Sequence, residues 1–156
     1  MLDNWRVSGI TTFQTGSPFT PGFTTTNGAD LTGSTDGARI DVISNPYDNI
    51  PAGRYFNPAA FAVPAHATFG NAGANILYGP GTNNWDLSAT KRFRIGESRM
   101  LSFRGEAFNT WNHTQFSGLY TTAQFQPSGV QIDPNFGLPN AARAARNIQI
   151  SGRLTF

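Results

Sequence analysis

The stretch WDLSATKRFRIGESRMLSFRGEAFNTW, residues 85–111, reads as two alternating runs around a turn. In the first run Trp85, Leu87, Ala89, Phe93 and Ile95 fall on one side. Asp86, Ser88, Thr90, Arg92 and Arg94 fall on the other, with Lys91 as the exception. In the second run Leu101, Phe103, Ala107 and Trp111 oppose Ser102, Arg104, Glu106 and Thr110. Successive side chains of a strand point to opposite faces, so alternation of this kind predicts strands with one apolar and one polar face. Gly96 to Met100 has room only for a tight turn, which makes the two strands adjacent and antiparallel.

Two further segments share the pattern. In Trp5 to Gln14, WRVSGITTFQ, the residues Trp5, Val7, Gly9, Thr11 and Phe13 oppose Arg6, Ser8, Thr12 and Gln14, and Ile10 breaks the period. In NIQISGRLTF, residues 147–156, Ile148, Ile150, Gly152, Leu154 and Phe156 oppose Asn147, Gln149, Ser151, Arg153 and Thr155. The expectation is an all-β chain with antiparallel strands near 4–15, 85–95, 100–111 and 146–156. Two long connections, 16–84 and 112–145, join them.

Composition agrees with strands and turns. Hydrophobic residues are 38% and charged residues 13% of the 156, both low for a soluble globular protein, while Gly (17), Pro (10) and Phe (13) are plentiful. The 11 basic residues against 9 acidic ones form no block of like charge, so no nucleic-acid footprint is indicated. The absence of Cys excludes disulfides and thiolate metal sites. No apolar run reaches the ~18 residues of a membrane helix, but a membrane β-strand needs only about ten alternating residues.

Alternation alone fits two architectures. A soluble sheet with one buried face gives it, and so does a membrane barrel with lipid outside and a wet lumen inside. The placement of aromatics and the connections favour the barrel. Trp5, Trp85, Phe93 and Trp111 stand near strand ends on the apolar side, as an aromatic belt would. Arg92, Arg94, Arg104 and Glu106 share the polar side of the hairpin and are expected to face the lumen. Opposite-charge pairs across its strands would add about 0.2–1 kcal/mol each. One short turn between two long connections is the plan of periplasmic turns and extracellular loops. Thr24 to Gly37, TTTNGADLTGSTDG, reads as a polar loop tip.

Signals for chemistry are sparse. His66 and His113 have no neighbouring nucleophile, and neither G-x-S-x-G nor H-E-x-x-H occurs. GNAGANILYGPG, residues 70–81, lacks the Lys-Ser/Thr of a phosphate loop. Asp30, Asp36, Asp41 and Asp48 lack calcium-loop spacing. No catalytic residue, cofactor or metal is expected, and the chain is not expected to be an enzyme.

Several stretches carry a resemblance. QTGSPFTP (14–21), GRYFNPAAF (53–61), FGNAGANILYGPGTNNWDLSATKRFRI (69–95), LSFRGEAFNTWNHTQF (101–116) and ARNIQISGRLTF (145–156) resemble, in order, the carboxyl-terminal part of TonB-dependent outer-membrane receptors. The similarity is to the Oar-like group, which carries a carboxypeptidase-regulatory-like domain. The resemblance implies a barrel of about 22 strands with an internal plug that takes up bulky solutes. It also implies that 147–156, with Ile148, Ile150, Gly152, Leu154 and Phe156, is a closing strand read by the outer-membrane assembly machinery. Four strands cannot close a membrane barrel, which needs at least about eight. Met1 is therefore expected to be an internal start or a fragment boundary. The partners implied are outer-membrane lipid, the missing strands and the assembly machinery. Open sheet edges suggest a different reading, a self-assembling surface protein whose partners are other copies of the chain. A soluble β-sandwich binding module is the third reading.

Overall fold

The computed structural model describes residues 3–28, 31–32 and 37–156. Asp30, Asp36 and much of the expected 24–37 loop tip lie outside the described residues. In chain order the strands are β1 (Trp5–Gln14), β2 (Pro18–Phe19), β3 (Gly22–Thr25), β4 (Asp41–Val42), β5 (Phe61–Ala62) and β6 (Leu77–Tyr78). They continue with β7 (Thr82–Ile95), β8 (Arg99–Phe108), β9 (Phe116–Leu119), β10 (Thr122–Phe125), β11 (Pro139–Ala142) and β12 (Asn147–Thr155). Among the described residues the one helical element is a 3-10 turn, Pro58–Ala60, so the architecture is all-β.

The chain divides into two compact units. One comprises residues 1–14, 82–115 and 143–156; the other comprises 15–81 and 116–142. The first is a four-stranded sheet in the order β1-β7-β8-β12, antiparallel throughout. Its strands are 10, 14, 10 and 9 residues long, close to the ~9–11 residues that cross a bilayer as a tilted strand. The hairpin turns on Gly96, whose φ of 70° suits a residue without a side chain, and Ile95 pairs with Arg99. The turn is thus 96–98, shorter than the expected 96–100. The chain leaves the sheet after Gln14 and re-enters at Thr82, its register partner. It leaves again after Phe108 and re-enters at Asn147, also a partner, so both long excursions start and finish at the end opposite the hairpin turn.

The third strand ends earlier than its alternation implies. It stops at Phe108, not Trp111, because Asn109 takes a left-handed backbone, φ 51°. Asn tolerates that region better than most residues, and it breaks the pleat.

The expected loops 16–84 and 112–145 are also not structureless. Most of their residues build the second unit, from short pairs β2-β6, β4-β5, β9-β11 and the parallel β3-β10. Its core holds the buried Ile40, Phe56, Phe61, Leu77, Phe125 and Phe136. The Phe56 and Phe136 ring centroids lie 4.9 Å apart and those of Phe56 and Phe61 5.6 Å apart, both edge-on. Each buried Phe contributes roughly 1.5–3 kcal/mol by removal from water. Two glycines of the resemblance stretches serve close packing here. A Cβ on Gly16 would lie 1.7 Å from the Gly79 carbonyl oxygen. One on Gly70 would lie 2.0 Å from that of Arg39, and Gly70 has a φ of 72°.

Candidate functional site

The sheet carries the chemistry on its two faces, and the register fixes which residue stands on which. Val7, Ala89 and Gly105 align across β1, β7 and β8, with Ile150 completing the row on β12. The next apolar row toward the loop end is Gly9, Leu87, Ala107 and Ile148. This face is exposed: Val7 is 72%, Phe13 70%, Ile148 61% and Ile150 81% accessible. A water-soluble sheet of one apolar face buries that face. Within the same chain the second unit does bury Ile40, Phe56, Phe61, Phe125 and Phe136, so a soluble sandwich does not account for the sheet. An apolar face of this extent marks contact with lipid or another apolar surface.

Aromatics stand at both ends of that face. Toward the loop end Phe13 packs edge-on against Trp85 at 6.0 Å, and Trp85 lies 6.3 Å from Trp111, which joins from beyond the end of β8. Toward the turn end Phe93 meets Phe103 at 6.1 Å, and Trp5 pairs in register with Lys91. Trp5 to Phe13 and Trp85 to Phe93 are each eight residue steps apart. That is about 27 Å along a strand and about 21 Å along the normal at a tilt of ~40°, near the ~25 Å apolar band of a barrel. Lys91, the exception in the sequence pattern, stands at the edge of the band. Its Nζ lies 5.2 Å from the Trp5 ring centre and 5.7 Å from that of Phe93, and donates to the Asp3 carbonyl at 2.6 Å. The long stem lies on apolar surface while the ammonium keeps a polar partner.

The opposite face is polar. Ser8, Ser88, Glu106 and Gln149 form one row, and Ser8 and Ser88 hydrogen-bond at 2.9 Å. Arg92, Arg94, Arg104 and Glu106 share this face, but the expected pairs across the strands do not form. Arg92 stands opposite Ser102, Arg94 opposite Met100 and Glu106 opposite Ser88. The ion pair instead runs along β8, Arg104 Nη2 to Glu106 Oε1 at 2.7 Å. With half of the Arg104 side chain exposed, it contributes at most about 1 kcal/mol. Ile10, which breaks the period, does lie on this face, opposite Asp86.

At the loop end a hydrogen-bond network holds the rim, and sequence reasoning missed it. The Asp86 carboxylate accepts from Asn84 Nδ2 and from the backbone N–H of Asn109, both at 2.9 Å. Gln115, buried, accepts the Asn83 N–H at 3.0 Å and donates to Asn84 Oδ1 at 3.1 Å. Asn112, also left-handed at φ 52°, accepts the Arg146 N–H at 3.2 Å. The available signal was the Asn and Gln content of NNWD and FNTWNHTQ. In the second unit Asn71 plays a similar part, its side chain bonded to both the N–H and the C=O of Val42.

Of the terminal set, Ile148, Ile150, Gly152 and Leu154 lie on the apolar face of β12, and Phe156 follows the strand, 92% exposed. Phe103 packs over Gly152, 3.5 Å from where a Cβ would stand. His66 and His113 fall in separate units. Among the described residues no three His, Asp or Glu side chains converge as metal ligands.

A sheet that exposes a belt-edged apolar face and lines its other face with Arg, Ser and Gln defines a stretch of membrane β-barrel wall. The comparison of sequences agrees: the family model for the outer membrane beta barrel domain matches residues 1–149, and the chain belongs to that family. Its place is the outer membrane. No curated protein and no solved structure matches the chain.

Proposed function

We propose that the chain forms wall strands of a TonB-dependent receptor of the Oar-like group and serves solute uptake as part of a complete barrel. The observation that carries this reading is the division of labour in the chain. Four membrane-length strands leave their apolar face exposed, while the connections from one end fold around an aqueous-type core of their own. Support for the TonB-dependent class comes from the resemblance of FGNAGANILYGPGTNNWDLSATKRF and FRGEAFNTWNHTQF, whose polar members hold the rim network. The reading assigns no catalytic residue. The test is a gene deletion in the producing bacterium, with uptake of bulky solutes compared in energised and uncoupled cells. The expected result is loss of one energy-dependent uptake. Unchanged uptake across the panel overturns the transport assignment.

A second reading rests on the outer edges of β1 and β12, which have no strand partner among the described residues. Such edges template pairing with further strands, including those of another copy. The mass of the detergent-extracted protein separates the readings: a multiple of one chain favours self-assembly, and a single large polypeptide favours the receptor.

A further inference from the structure

The polar face concentrates arginine toward the hairpin-turn end. Arg6, Thr90, Arg104 and Ser151 form one cross-strand row; Arg92, Ser102 and Arg153 form the next. Arginine and a small hydroxyl residue therefore alternate across the strands, and the two rows are staggered. All four strands contribute a guanidinium to the wall of one cavity of about 460 Å³. Arg104 holds Glu106, while among the described residues no carboxylate pairs with Arg6, Arg92 or Arg153. Guanidiniums so placed repel one another, and the small Ser and Thr between them leave their donors open to the cavity. The planar fork of arginine matches phosphate and carboxylate oxygens in bidentate fashion. Diagonal neighbours on adjacent strands lie about 7–8 Å apart, a spacing that separate charged groups of one small molecule can span.

We infer that this face binds a solute carrying two or more phosphate or carboxylate groups. The inference rests on the uptake reading and names the class of solute. The probes are radiolabelled inositol hexakisphosphate and citrate, added to outer membranes containing the full protein as its bacterium makes it, at low and high salt. Expected is saturable, salt-sensitive binding of at least one probe. The R92S/R153S double variant should weaken it at least about tenfold, since each arginine supplies charge-assisted bonds. Arg99→Ser, on the other face, should leave it unchanged. Folding is followed by the heat-modifiable band. If the double variant lacks that band, Arg92→Lys and Arg153→Lys keep the charge, lose the fork and should each weaken binding several-fold. A folded protein that binds neither probe, or binds equally well without these forks, overturns the inference. Binding needs no energised membrane, so its failure with the band and energy-dependent uptake intact leaves the uptake reading standing. Loss of the folded band from the wild type removes both.

Discussion

The carboxylate of Asp86 accepts the backbone N–H of Asn109 at 2.9 Å, tying the loop end of β7 to the residue that terminates β8. The bond holds Asn109 in its left-handed turn, and Thr110 N–H to Trp85 carbonyl at 2.8 Å reinforces it. Asp86→Ala leaves the Asn109 N–H without its acceptor. The expected cost is about 1–3 kcal/mol, and Asp86→Asn, which retains an acceptor oxygen, should cost less. The fraction of heat-modifiable barrel surviving increasing urea measures both. Equal survival of Asp86→Ala and wild type contradicts the role given to this bond.

The faces of β7 differ in what they tolerate. Leu87 stands mid-strand on the apolar face, and an arginine there in lipid costs roughly 2–4 kcal/mol. Ser88 is its neighbour on the polar face and stands opposite Glu106. Ser88→Arg gains a carboxylate across the strand and should fold nearly as well as wild type, whereas Leu87→Arg should sharply lower the folded yield in membranes. Equal yields for the two variants sink the assignment of faces.

The sheet was legible because each of its faces meets a single environment, so the alternation of Trp85 to Ile95 survives in the sequence with Lys91 as its one exception. The charge pairs were not legible. Which residue faces Arg92 depends on the hairpin register, and a three-residue turn places Ser102 there instead of an acid. The second unit left no period to read. Its strands are two to four residues long, and Phe56, Phe61 and Phe136 reach the core from turns and short pairs. Trp111 continued the apolar alternation in sequence, yet the backbone of Asn109 had already ended the strand.

That second unit yields its own prediction. Phe56 is fully buried against Phe19, Phe61 and Phe136. Phe56→Ala removes the shared ring and should cost about 3–5 kcal/mol. The expected consequence is faster proteolysis within residues 15–81 while the heat-modifiable band of the barrel persists. Concurrent loss of that band would show that the sheet cannot form without the loop unit's core.

The last prediction uses the three tryptophans as depth gauges. Trp5 stands at the turn end of the apolar face; Trp85 and Trp111 stand together at the loop end. Indole rings favour the headgroup level, where the ring meets apolar chains and the N–H keeps a polar partner. Trp85 Nε1 has one in Asn83 Oδ1 at 2.9 Å, and Trp5 has the Lys91 ammonium over its ring. Variants that keep Trp5 alone or Trp85 alone, the others changed to Phe, are placed in lipids brominated near the headgroup or near the chain end. Both should be quenched more by bromine near the headgroup, because the ~21 Å between the belts along the normal puts one at each interface. Strongest quenching of either by chain-end bromine would place that ring mid-membrane and overturn the belt. Quenching of neither by any lipid would mean that the apolar face meets protein, shifting weight to the self-assembled form.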